Sequence, residues 1–114
     1  MPPQTIHLLT KARRLVRKGW TQGHIARTDD GRPVPVHHAE ATRFCTIGAI
    51  RQVYEADHYG YRAFDAAMDI LCRGAQVAGG FRNLTEWNDH PQRTQADVLD
   101  LYTRAIARAK EETQ

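Results

Sequence analysis

Residues 39–59, AEATRFCTIGAIRQVYEADHY, decide how the chain is to be read. Phe44, Ile47, Ile50, Val53 and Tyr54 cover one side of a helix of period 3.6, and Cys45, Gly48, Ala49 and Ala56 form a small-residue seam on another. An element apolar on so many sides must be enclosed, which makes it the central helix of an all-α domain. Gly60 separates it from a second pattern over 61–78, where Phe64, Met68, Leu71 and Ala75 keep one stripe until Gly79-Gly80. Upstream, residues 5–19 set Leu8, Ala12, Leu15 and Gly19 on one face, with Leu9 and Val16 beside them. Gly19 suits the end of that helix, and Trp20 folds back onto the core. Downstream, Thr94 with Asp97 three positions on reads as a capping box opening a helix over 94–111, buried through Val98, Leu101, Tyr102, Ala105 and Ala109. Four helices around one core are therefore expected, with residues 81–93 as a connecting loop anchored by Leu84 and Trp87. Residues 21–38 hold Gly23, Asp29-Asp30-Gly31, Pro33 and Pro35, a polar loop or a short β-hairpin about the Asp-Gly turn.

Composition narrows the class. The chain has 114 residues, 41% of them apolar and 25% charged, which fits one globular domain and excludes disordered, collagen-like and disulfide-scaffold proteins. No run approaches ~18 consecutive apolar residues, so no membrane span is expected. Ile6, Leu8 and Leu9 precede the basic run, the reverse of a signal peptide. A cytoplasmic protein is expected. Cys45 and Cys72 both fall in helical patterns and read as reduced, buried thiols. The formal net charge is +3 but unevenly spread: residues 1–28 carry Lys11, Arg13, Arg14, Arg17, Lys18 and Arg27 without one acid.

Three groups of side chains carry chemistry. Cys45 with His38 and Asp89 would make a thiol catalyst, which needs a thiolate, an imidazole and a group orienting it. A helix beginning at residue 39 puts Cys45 in its second turn, beside Ala49 and Val53, where burial opposes ionisation. His24, His37, His38, His58 and His90 show no tight ligand pair, so neither metal nor cofactor is expected. In the second group Trp87 buries a ring, Asn88 and Asp89 make turns, Asp89 pairs with Arg93, and Thr94 caps the next helix. The functional reading of that segment is a pocket lip in which Trp20, Gln22, Trp87, Asn88, Asp89 and Arg93 hold a ligand, Trp87 stacking a planar group and Arg93 taking an anion. The third group is the helix face of Lys11, Arg13, Arg14, Arg17 and Lys18: either a solvated face or a surface for phosphates. A membrane role does not fit, because the core needs the apolar stripe.

Gly19-Trp20-Thr21-Gln22-Gly23, Asp30-Gly31-Arg32-Pro33, Cys45-Thr46-Ile47-Gly48-Ala49, Trp87-Asn88-Asp89 and Arg93-Thr94 follow in order. Together, over residues 8–109, they resemble a family of small uncharacterised proteins from actinobacteria and their phages. The resemblance implies a bacterial or phage cytoplasmic origin and carries no activity or site residue with it. Small phage proteins often bind a host factor or sequester a ligand, which favours a binding module. The leading expectation is a non-enzymatic helical module for an anionic partner: a nucleotide-like ligand, nucleic acid or an acidic protein surface. The alternatives are a thiol enzyme using Cys45 and a structural or homodimeric assembly protein.

Overall fold

The central helix cannot begin at residue 39, because the backbone of Phe44 is held on both sides. Its N–H donates to Gly19 O at 3.0 Å, and its carbonyl accepts from Thr21 N at 3.2 Å. Cys45 N donates to Ile25 O and Thr42 N to Arg27 O, so residues 42–45 run extended. In the computed structural model, which describes residues 2–113, strand β1 (Ala26–Arg27) pairs antiparallel with β2 (Arg43–Phe44), and helix α2 starts after them at Thr46 and ends at Ala56. The expected span of 39–59 is corrected at both ends. His58 takes a left-handed φ of 55° and stops the helix before residue 59.

Around α2 stand α1 (Gln4–Lys18), α3 (Tyr61–Ala75), α4 (Phe81–Asp89) and α5 (Gln95–Glu112). The fold is thus mostly helical, with five helices among the described residues where four were expected. The added helix is α4, read from sequence as a loop. Only Leu84 and Asn88 of its nine residues are buried, so its apolar stripe is too thin to register as a helix. Residues 76–78 leave the predicted third helix because Gln76 turns left-handed at φ 59°.

α1 runs antiparallel to α5. Arg13 Nε donates to Thr103 Oγ1 at 2.9 Å, and Gln95 Nε2, earlier on α5, donates to Val16 O, later on α1, at 2.7 Å. The buried residues of α1, among them Leu8, Leu9, Ala12 and Val16, meet one core to which all five helices contribute. Thr94 and Asp97 complete the expected capping box of α5. The predicted hairpin is present in reduced form, as its turn and one isolated antiparallel bridge between Arg27 and Pro33. Thr28 N donates to Arg32 O and Val34 N to Ala26 O, but the strand partner of Ala26 is Phe44. Pro33 and Pro35 lack the N–H a second arm would need.

Two glycines fix how closely the segments approach. A Cβ on Gly48 would stand 1.9 Å from Ile25 O, and one on Gly19 would stand 2.2 Å from Thr42 O. Gly19 does cap α1, yet its backbone is extended, so close approach rather than a left-handed turn is what requires it there. Either glycine substituted by Ala must push main chain against main chain. Gly48→Ala is expected to lower stability by roughly 3 kcal/mol or more, read as a fall in the denaturant midpoint with an unchanged slope.

Candidate functional site

Trp20, Gln22, Asn88 and Asp89 come together, and they bind one another. Asn88 is fully buried. Its Oδ1 accepts from Trp20 Nε1 at 2.9 Å, Thr46 N at 2.9 Å and Thr46 Oγ1 at 2.7 Å. Its Nδ2 donates to Thr21 O at 3.1 Å and to Asp89 Oδ1 at 3.0 Å. Gln22 Nε2 donates to the carbonyls of Asn88 and His90, and Gly23 N donates to Asp89 Oδ1. One amide therefore joins the 20–23 loop, the start of α2 and the end of α4. Thr46 passes the connection on, since its carbonyl accepts from the buried Tyr102 hydroxyl of α5 at 2.5 Å.

Trp87 and Arg93 face elsewhere. The Arg93 guanidinium lies 4.0 Å over the Trp87 ring, and its Nε donates to Trp87 O at 2.8 Å. They line a separate cleft of about 350 Å³ with Gln76, Asp97 and Arg104. The expected Asp89–Arg93 ion pair does not form among the described residues: Asp89 is taken by Gly23 N and Asn88 Nδ2, and Arg93 by Trp87. The six residues expected to line one ligand pocket are thus divided between an internal joint and a surface cation–π pair.

Beside the joint lies a cleft of about 310 Å³ lined by Gly23, His24, Ile25, Cys45, Thr85 and Asp89. It brings Cys45 and Asp89 to one place, as the thiol reading required, but the histidine there is His24. His38 is exposed and uses Nδ1 to accept from Glu40 N. In the sequence His24 shows only that it lacks metal-ligand spacing, and Thr85 carries no signal where residues 81–93 read as a loop. Recognising α4 reveals Thr85 and Asp89 as i, i+4 neighbours on one helix face.

Cys45 is the N-cap of α2, not a second-turn residue. Its Sγ accepts from Gly48 N at 3.2 Å, the part a Ser or Asp oxygen commonly plays. Burial, the largest influence, raises the thiol pKa, and the nearby Asp89 adds to that; the Gly48 and Ile47 N–H groups oppose it. Among the described residues no histidine hydrogen-bonds the sulfur. A neutral, enclosed cap is poor at attack, because the thiolate is the nucleophile. Cys72 is likewise buried and free. No cluster of three His, Cys, Asp or Glu with metal-holding geometry occurs among the described residues, and no helix there is long and apolar enough to cross a membrane.

The basic helix face divides as well. Lys11 Nζ donates to Asp57 Oδ2 at 2.7 Å, and that bond is the main reason its pKa is raised. Arg13 Nε is spent on Thr103 Oγ1 and Leu99 O. Arg14, Arg17 and Lys18 are exposed, and among the described residues no hydrogen-bond or ion-pair partner holds their side chains. Arg17 and Lys18 also sit in the last turn of α1, where cations offset the helix dipole.

Two measurements check this account of the joint and the buried thiol. Asn88→Ala leaves the Thr46 and Trp20 donors without an acceptor, and is expected to cost about 3 kcal/mol or more, a fall of over ~10 °C in melting temperature. Cys45 and Tyr102 both have pKa values raised by burial, so the folded chain holds those protons more tightly than the unfolded chain. Their contribution is complete below the unfolded thiol pKa and is lost as pH rises through the folded values. The melting temperature should therefore decline from about pH 9 upward. Tyr102→Phe should flatten the portion above about pH 10.

No curated protein and no solved structure matches the chain significantly. A family model does match it over residues 1–108, described as a family of unknown function (DUF6197). With nearly its whole length covered by that model, the chain belongs to this family.

Proposed function

We propose that this protein is a small, non-enzymatic helical binding module that engages a polyanionic partner through the outer face of α1. The observation that carries the reading is the state of Arg14, Arg17 and Lys18: three neighbouring cations, exposed and with side chains that have no partner among the described residues, on a helix without one acid. Unpaired cations at this spacing suit phosphates along a nucleic-acid backbone, where neutralising each phosphate releases a counterion. Lys11 and Arg13 lie on the same helix but are engaged with Asp57, Thr103 and Leu99, and we assign them to holding α1 in place.

We assign Trp20, Gln22, Trp87, Asn88 and Arg93 to bracing the loops rather than to ligand contact, because each is already bonded inside the chain. Asp89 alone of the six also lines the Cys45 cleft. The thiol-enzyme reading is the weaker one, since a raised pKa and an enclosed sulfur oppose nucleophilic attack. A cytoplasmic setting in an actinobacterium or phage-infected host, and action without metal or cofactor, belong to the same proposal and rest on the resemblance and on the residue types.

The test is fluorescence anisotropy with labelled 20-nucleotide single-stranded DNA, a 20-bp duplex and polyglutamate as probes. Nucleic-acid binding in the range of roughly 1–100 μM is expected at physiological salt, with a log–log salt slope of about −2 for the single strand and nearer −3 for the duplex. Arg14→Glu, Arg17→Glu and Lys18→Glu together should remove binding, whereas Lys11→Gln should leave it nearly unchanged. Binding that survives the triple charge reversal ends the proposal. Preference for polyglutamate over both DNA probes would redirect it to an acidic protein surface.

A further inference from the structure

Tyr61 and Phe81 are the large apolar side chains that stay exposed among the described residues, at 63% and 50%. Each stands at the first position of a helix, α3 and α4, outside the core. Phe81 ends an aromatic run across three helices: its ring centroid lies 6.0 Å from that of Phe64, which lies 4.5 Å from Tyr54 of α2. The surface is hollow on both sides of Phe81. One hollow, of about 270 Å³, has the buried Met68 and Cys72 with Phe64 beneath it and the exposed Asp65 and Asp69 at its edge. The other, of about 460 Å³, lies by Tyr54 and Phe64, with Arg51 and Glu55 at its edge.

The charges around these hollows are unequal. Arg51 is engaged by Glu55, Arg82 by Glu86, and Arg73 by both Asp69 and Glu112. Asp65 has no cationic partner among the described residues, and no Lys or Arg lines the smaller hollow. We infer that the smaller hollow receives an Arg or Lys side chain from a protein partner, with a neighbouring apolar residue of that partner seated across Phe81 in the larger one. The unpaired Asp65 carboxylate at the edge selects a cation. The ring faces of Phe81 and Phe64 attract it further, and the apolar floor accepts its aliphatic stem. A volume of about 270 Å³ falls below the ~300–1,000 Å³ of drug-sized ligand pockets and suits a single long side chain. An exposed aromatic ring that continues into the half-buried Phe64 and Tyr54 and is rimmed by charge also suits a protein contact. This surface is built by α2, α3 and α4 and uses none of the α1 cations.

The experiment titrates the full chain with three labelled octapeptides, followed by anisotropy and by amide shifts in its NMR spectrum. One peptide carries arginine between leucine and phenylalanine; the second has glutamate for the arginine; the third has serines for the two apolar residues. The arginine peptide is expected to bind at least tenfold more tightly than the glutamate peptide and fivefold more tightly than the serine peptide, with shifts centred on Phe64, Asp65 and Phe81. Phe81→Ser and Asp65→Lys, both at exposed positions, should each weaken it at least fivefold while leaving the melting curve in place. Equal binding of all three peptides, no binding, or shifts centred away from Phe81 would overturn the inference. So would concentration-dependent dimerisation, seen by sedimentation of the protein alone and abolished by Phe81→Ser, because the occupant would then be a second copy.

Discussion

A buried amide on α4 organises the molecule. Asn88 has no access to water, so every bond its side chain makes must be supplied by the protein, and leaving one unmade costs more than making it gains. Its oxygen and nitrogen are saturated by groups from segments far apart in sequence: Trp20 and Thr21, Thr46, and its neighbour Asp89. That requirement draws the 20–23 loop onto the ends of two helices. The loop in turn brings Ile25 against Gly48, a contact only a residue without a side chain allows. The short β1–β2 pairing follows, since Ala26 comes to lie beside Phe44 only when the loop is in place.

The same joint explains which residues are free to act outwardly. Side chains that looked chemically rich, Trp20, Gln22 and Asn88 above all, are committed to the interior of the loop system. The unspent polar chemistry lies at the periphery, in the α1 cations and around Phe81. A residue type that is useful for catalysis or binding is equally useful for satisfying buried backbone, and the partner list separates the two uses.

How far the sequence discloses this depends on where apolar periodicity is strong. α1, α3 and α5 each bury a regular stripe, and their positions were legible to within a few residues, as was the Thr94–Asp97 cap. α4 was not, because its second buried residue is polar and an asparagine carries no weight in an apolar pattern. The start of α2 misled for the opposite reason: Phe44 and Cys45 continue the apolar pattern, yet long-range backbone bonds to Gly19 and Ile25 hold them extended. At the candidate sites, the spacing within α1 located the basic face. It was silent on the fact that Lys11 and Arg13 are engaged by α2's C-cap and α5, because Asp57 and Thr103 lie 46 and 90 residues away. That His24 and Thr85 share a cleft was not legible, since the cleft exists only once the loop and α4 have met.

The antiparallel seating of α1 on α5 also has a consequence for how the chain comes into being. Gln95 meets Val16 across 79 residues, so α1 has to wait for α5 before its apolar stripe is fully covered. At ~5–20 residues per second on the ribosome, that wait is several seconds, during which Leu8, Leu9, Ala12 and Val16 have no α5 to lie against. The cations beside them, on a helix without an acid, oppose close approach of a second such helix in that interval, because like charges repel.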